Sequence, residues 1–125
     1  MKLLYIDDDD DIREIAELSL AIDPEYRIWT AASGREGLDL AAAIRPDVIL
    51  LDVMMPEMDG PETFAALARE EDLRAIPVIF ITARTQSHQV AELQALGAAG
   101  VIEKPFDPLS LAEQVRGCLG DNFGC

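Results

Sequence analysis

This 125-residue chain lacks both an excess of basic residues and any long apolar run. It carries 24 Asp and Glu against 10 Lys and Arg, a formal net charge of −14. Contact with nucleic-acid phosphates requires Lys and Arg in excess, so the composition argues against direct nucleic-acid binding and favours basic partners or cations. No apolar stretch approaches the roughly 20 residues of a membrane span, so no membrane segment is expected.

Cysteine is also scarce, with only Cys118 and Cys125. Two such residues do not make a disulfide framework, which predicts a reducing, cytoplasmic setting. The apolar stretch after Lys2 is too short for a signal peptide. No glycine-rich phosphate loop is present, which argues against nucleotide binding. The lone histidine, His88, falls in the polar start of a predicted helix and is interpreted as a solvated surface residue.

What the chain does contain is a fivefold alternation of short apolar runs and amphipathic segments. The clearest run, Val48-Ile49-Leu50-Leu51, stops at Asp52 and is typical of a strand buried on both faces of a parallel sheet. Further segments at residues 3–6, 26–31, 78–81 and 101–102 predict the other strands, with 26–31 at an edge. The alternation predicts one α/β domain with a five-stranded parallel sheet and helices on both faces.

Capping residues precede the predicted helices. Asp9, Asp10 and Asp11 fall at the positive N-terminal end of the first helix. Later helices are predicted to begin at the caps Ser33, Asp59 and Asp107. The helical periodicity predicts that the first helix buries Ile12, Ile15, Ala16, Ser19 and Ile22. The domain is expected to cover residues 1–120, with residues 121–125 as a C-terminal tail.

Residues with useful chemistry follow four of the five predicted strands. Asp7 and Asp8 follow the first, Asp52 the third, Thr82 the fourth and Lys104 the fifth. The carboxyl ends of parallel strands share one edge, where open α/β sheets bind ligands, so these side chains could converge. Clustered carboxylates suit Mg²⁺, an Asp can accept a phosphoryl group, and a Lys with a hydroxyl can bind phosphoryl oxygens.

Over essentially its whole length, the chain resembles the receiver domain of two-component response regulators. The motifs that carry the resemblance are Tyr5-Ile6-Asp7-Asp8-Asp9, Leu51-Asp52-Val53-Met54-Met55-Pro56-Glu57-Met58-Asp59-Gly60, Ile81-Thr82-Ala83 and Glu103-Lys104-Pro105-Phe106. The resemblance implies a flavodoxin-like fold with strand order 2-1-3-4-5. It also implies that a sensor histidine kinase or a histidine phosphotransfer protein phosphorylates Asp52, and that the phosphorylated domain binds an output protein.

The resemblance further implies a role for each site residue. Mg²⁺ would be held by Asp7, Asp8, Asp52 and the backbone carbonyl of Met54. Thr82 and Lys104 would contact the phosphoryl group, and the Lys104-Pro105 bond would be cis.

Three positions are expected to tune the site. Members of the family usually carry Tyr or Phe three residues before the lysine, as a rotamer switch coupled to the threonine. This chain has Val101, which cannot swing between buried and exposed poses as an aromatic ring does. Met54 and Arg84, two residues after Asp52 and Thr82, are predicted to shield the phosphoryl group from attacking water.

Two other interpretations remain open from the sequence. A metal-dependent phosphohydrolase on a similar sheet also uses an aspartate nucleophile, but it usually has a second acid two residues later, where this chain has Met54. A receiver-like interaction domain that is not phosphorylated would lack the acidic pair or the acceptor, and both are present. Since no effector domain accompanies these residues, the domain either acts alone through protein contacts or is a piece of a longer chain.

Overall fold

The computed structural model describes residues 1–83 and 86–122, within which five strands alternate with five helices. The strands are β1 (Lys2–Ile6), β2 (Arg27–Ala31), β3 (Val48–Asp52), β4 (Val78–Thr82) and β5 (Gly100–Glu103). The helices are α1 (Asp10–Ala21), α2 (Gly34–Ile44), α3 (Gly60–Arg69), α4 (Ser87–Ala95) and α5 (Leu111–Asn122). No helix within these residues is long and apolar enough to cross a bilayer.

All four strand pairings are parallel, and the sheet order is β2-β1-β3-β4-β5. This confirms the predicted architecture and the order that the family resemblance implied. Strand β3 is buried along its whole length, as its unbroken apolar run predicted, and β2 lies at one edge. Because the strands run in the same direction, their carboxyl ends meet at one edge of the sheet.

Alternate residues of each strand enter two separate cores, one on each face of the sheet. Leu3, Tyr5 and Leu50 pack with residues of α1 and α5, whereas Leu4 and Leu51 pack with residues of α2, α3 and α4. This is the two-residue side-chain period of a strand. Helices therefore cover both faces, as predicted.

The buried face of α1 differs from the predicted one. Ala16 and Ser19 are buried as expected, but Ile15 is 45% exposed and Ile22 is 67% exposed, so the prediction was wrong for both isoleucines. Leu20 enters the core instead. Apolar residues lie on more than one side of this helix, so hydrophobic periodicity alone does not select the side that docks. The position of α1 against the sheet and α5 makes that choice.

The helix caps are mostly as predicted. The Asp9 carboxylate accepts from the N–H groups of Asp11 and Ile12, and Ser33 and Asp59 cap α2 and α3. Asp107 does not cap α5 directly: its side chain accepts from the Leu109 N–H at 2.9 Å, in a turn that precedes the helix. Helix α5 extends to Asn122, two residues beyond the expected boundary of the domain, and residues 123–125 lie outside the described part of the chain.

Candidate functional site

Three carboxylates meet at the carboxyl edge of the sheet. Asp7 follows β1 directly, Asp8 comes next, and Asp52 ends the neighbouring strand β3, with Ile6 in register with Leu51. Each of the three offers a carboxylate oxygen, and these oxygens lie within 4.8 Å of one another. Asp7 and Asp52 are buried and Asp8 is exposed. The predicted convergence of the three acids is therefore present.

Among the described residues, three hydrogen bonds hold the Asp7 carboxylate. Its Oδ2 atom accepts from the Tyr5 hydroxyl at 3.0 Å and from the Lys104 ammonium at 2.9 Å, and its Oδ1 atom accepts from the Asp9 N–H at 3.0 Å. The Arg13 guanidinium donates to the Asp7 backbone carbonyl at 2.8 Å and also pairs with Asp10. These contacts tie the acidic loop to both the sheet and helix α1.

Lys104 bridges the two buried acids. Its Nζ atom lies 2.9 Å from Asp7 Oδ2 and 3.1 Å from Asp52 Oδ1. Burial alone would lower the pKa of Lys104, but its hydrogen bonds to the two carboxylates and their charges outweigh burial and raise it. The lysine therefore stays a charged ammonium at neutral pH. The Lys104-Pro105 peptide bond that follows is cis, as the resemblance implied.

Burial raises the pKa of Asp52 to about 6, and the negative charge of Asp7 adds to this shift. The ammonium of Lys104 acts in the opposite direction but does not cancel the other two effects. The single Lys104 ammonium therefore does not balance the negative charge of the three carboxylates. A bound divalent cation would supply the missing positive charge and favour the ionised form of Asp52.

The donor set suits a hard cation, since all three groups offer carboxylate oxygens. Magnesium and calcium prefer such ligands, whereas softer metals prefer thiolate or imidazole. Receiver domains generally bind Mg²⁺ in an acidic pocket of this kind. The cluster can therefore hold a metal ion.

Thr82 and Met54 lie beside the acidic cluster. Thr82 is the last residue of β4 and is buried, one position beyond Ile81, the register partner of Asp52. A cavity of about 190 Å³ is lined by Thr82, Met54, Val53, Pro61, Gln89, Glu92 and Leu93. The Met54 side chain is 58% exposed. Both predicted residues therefore border one cavity next to strand β3.

Of the two remaining positions that were expected to tune the site, the structure describes Val101 but not Arg84. Val101 lies within β5, in register with Phe80, and packs half-buried against the core beneath α2, α3 and α4. Arg84 lies outside the described residues. Its predicted shielding role stays a prediction.

Sequence reasoning missed the contribution of Tyr5, which it assigned only to a buried strand. Tyr5 and Asp7 are two residues apart, so their side chains extend on the same face of the chain. That spacing places a hydroxyl next to a carboxylate and was the available signal. Arg13 was missed as well, although it lies one helical turn after the cap Asp9, whose carbonyl accepts from the Arg13 N–H at 3.0 Å.

Comparisons with known proteins agree with this geometry. The family model of the response regulator receiver domain matches residues 3–116. Transcriptional regulatory protein AfsQ1 of Streptomyces coelicolor is 41% identical over 117 residues, which cover 94% of this chain and 50% of that protein. Response regulator MprA of Mycolicibacterium vanbaalenii is 40% identical over 120 residues, covering 95% and 50%. The chain thus spans about half the length of the curated relatives it matches.

Solved structures show the same likeness over nearly their whole length. Chemotaxis response regulator CheY4 of Vibrio cholerae has a TM-score of 0.86 at 36% identity, covering 94% of this chain and 97% of that one. The receiver domain of Francisella response regulator 1452 has a TM-score of 0.85 at 26% identity, covering 97% and 98%. The chain therefore belongs to the response regulator receiver family, regulatory domains of two-component systems whose general function is to be phosphorylated by a kinase.

Proposed function

We propose that this receiver domain catalyses its own phosphorylation, taking a phosphoryl group onto Asp52 from a phosphohistidine of a sensor histidine kinase or a histidine phosphotransfer protein. The observation that carries the proposal is the Lys104 ammonium, 3.1 Å from Asp52 and 2.9 Å from Asp7, beside three clustered carboxylates. No phosphatase-type second acid stands two residues after Asp52, where the chain has Met54. The setting proposed for this reaction is the cytoplasm.

In the transfer, an Asp52 carboxylate oxygen attacks phosphorus while the bond from phosphorus to the donor imidazole nitrogen breaks. The imidazole leaves with the bonding pair and takes up a proton. Asp52 must be ionised to attack, and its raised pKa means that a fraction stays protonated near pH 6 without metal. Mg²⁺ held by Asp7, Asp8, Asp52 and the Met54 backbone carbonyl would supply positive charge to the acceptor and to the phosphoryl oxygens.

Lys104 and Thr82 provide the remaining contacts to the phosphoryl group. The Lys104 ammonium already touches the acceptor carboxylate, so a short movement brings it to a phosphoryl oxygen. Thr82, at the end of the adjacent strand, would donate its hydroxyl to another oxygen. Such preorganised donors stabilise the charge that builds on the transferring group.

The lifetime of the phosphorylated state depends on access of water to phosphorus. The exposed Met54 side chain borders the cavity next to Thr82 and would narrow that access. We propose that Arg84, which lies outside the described residues, also limits the access of water to phosphorus. Because Val101 replaces the aromatic switch, the signal would pass from Thr82 through the segment that leads into α4, and so change the surface offered to an output protein.

Intact mass spectrometry tests the assignment. The protein is incubated with Mg²⁺ and a small acyl or amide phosphate, and one phosphoryl group should be added. Asp52→Asn should abolish this addition, while the matched control Asp39→Asn, at an exposed carboxylate of α2, should be labelled like wild type. Full labelling of Asp52→Asn would contradict the acceptor assignment. Multiple turnover of assorted phosphoesters would favour a phosphohydrolase instead.

A further inference from the structure

The Tyr5 hydroxyl reaches the acidic site from inside the protein. Tyr5 is fully buried in the core between the sheet and helices α1 and α5, and its ring packs among apolar side chains. Its hydroxyl donates a hydrogen bond to Asp7 Oδ2 at 3.0 Å. Side chains of buried tyrosines usually find such a partner, but here the partner belongs to the cluster that can hold a metal ion.

Asp7 Oδ2 accepts from two donors of different character. The Lys104 ammonium is cationic and sits on a flexible stem, whereas the Tyr5 hydroxyl is neutral and its ring is fixed by the core. A phenolic hydroxyl is protonated at neutral pH, so the Tyr5 hydroxyl donates this hydrogen bond and Asp7 Oδ2 accepts it.

A bound cation and a phosphoryl group on Asp52 would affect the hydrogen bonds that the two donors make to Asp7 differently. A divalent cation among the three carboxylates repels the Lys104 ammonium, and the oxygens of a phosphoryl group on Asp52 attract it. Both effects weaken the bond from Lys104 to Asp7. A neutral hydroxyl experiences no comparable repulsion. Asp7 Oδ2, which is buried, would then depend on Tyr5 for its hydrogen bond.

We propose that Tyr5 is a positioning residue of the metal site, whose hydroxyl holds Asp7 in its ligating orientation while Lys104 is released toward the phosphoryl group. The inference rests on the proposed function, because it takes Asp7 as a metal ligand. Groups that orient metal ligands in this way typically contribute about 10–100-fold in metal affinity. The Tyr5 hydrogen bond contributes more in the loaded site than in the metal-free site, which is the condition for an effect on affinity.

Calorimetric titration with Mg²⁺ alone, at neutral pH, tests the proposal without any phosphorylation. Tyr5→Phe keeps the ring and removes only the hydroxyl, so it should weaken Mg²⁺ binding by about tenfold. The matched control is Tyr26→Phe, which removes the hydroxyl of another buried tyrosine, bonded to the Ala112 carbonyl at 3.4 Å. It should bind Mg²⁺ like wild type. Circular dichroism in the presence of a chelator checks that both variants are folded.

A second background separates positioning from a general structural effect. In Lys104→Met, Tyr5 is the remaining side-chain donor to Asp7 Oδ2 with or without metal, among the hydrogen bonds of the described residues. Adding Tyr5→Phe should then change the Mg²⁺ affinity far less than it does in the wild-type background. If Tyr5 had only a structural role, Tyr5→Phe would lower the Mg²⁺ affinity by the same factor in the wild-type and Lys104→Met backgrounds.

The outcomes are distinguishable. If wild type binds Mg²⁺ and Tyr5→Phe binds it equally well, the positioning role is overturned and the proposed receiver chemistry stands. An equal loss in both lysine backgrounds also overturns the role. If wild type binds no Mg²⁺, the proposed metal site is wrong, and the role of Tyr5 is wrong with it.

Discussion

Replacing Asp52 with Asn should stabilise the metal-free protein at neutral pH, and the gain should disappear near pH 4. Burial and the charge of Asp7 raise the pKa of Asp52 from 3.8 to about 6, so the folded protein binds this proton more tightly than the unfolded chain does. The stability contributed by the proton is fully present below about pH 4 and is lost as the pH rises through 6. Asn carries no charge at any pH, so the variant does not show this loss.

The magnitude follows from the size of the shift. A pKa change from 3.8 to about 6 is roughly two units, and each unit corresponds to about 1.4 kcal/mol. Asp52→Asn should therefore gain at most about 3 kcal/mol in its free energy of unfolding above pH 7. Relaxation around the ionised carboxylate reduces that figure, so a gain of about 1–3 kcal/mol is expected. For a domain of this size, the melting temperature would rise by roughly 3–10 °C.

Urea unfolding measures this gain directly. Wild type, Asp52→Asn and the exposed control Asp39→Asn are unfolded in the presence of a chelator from about pH 4 to pH 8, with the fluorescence of the single tryptophan, Trp29, as the probe. The difference between Asp52→Asn and wild type should grow through the window from about pH 4 to 6 and then level off. Asp39→Asn serves as the control for the removal of one exposed negative charge.

A difference that does not change with pH would refute the reasoning, because the gain would then not come from ionisation of Asp52. A variant less stable than wild type at neutral pH would refute it as well. It would mean that the bond from Lys104 to Asp52 outweighs burial and the charge of Asp7.

Three further predictions concern the cation, the lysine and the signalling route. Mg²⁺ at a hundredfold excess over its dissociation constant should stabilise wild type by about 2.7 kcal/mol. Without metal, Asp8→Asn should melt at a higher temperature than wild type, and added Mg²⁺ should raise its melting temperature less. Equal shifts in the melting temperatures of the two proteins, measured by scanning calorimetry across a Mg²⁺ titration at constant ionic strength, would contradict a shared metal site. Lys104→Met should lose about 1–3 kcal/mol in metal-free urea unfolding, because buried Asp7 and Asp52 lose a charged partner; unchanged stability would contradict that. A phosphate mimic on Asp52 should alter amide exchange through α4, and an unchanged α4 would contradict the proposed route from Thr82.

The sequence alone determined which segments form strands and helices and which polar residues follow the strands. Unbroken apolar runs such as Val48-Ile49-Leu50-Leu51 indicate strands buried on both faces, because only parallel strands covered by helices are apolar at every position. Once the strands are known to be parallel, the residues that follow them must share an edge. The sequence therefore predicted that Asp7, Asp52 and Lys104 lie close together. In the structure the Lys104 ammonium contacts both carboxylates.

Only the tertiary structure decided which sides of the elements dock and how polar atoms pair. Helix α1 has apolar residues on several sides, and packing against the sheet and α5 selected Leu20 over Ile15 and Ile22. The hydrogen bond from Tyr5 to Asp7 depends on a ring held inside the core, which the pattern of a buried strand does not specify. The strand order likewise needed more than periodicity, because the same alternation of strands and helices is compatible with several strand orders. Side-chain packing on both faces of the sheet selects the observed order, β2-β1-β3-β4-β5.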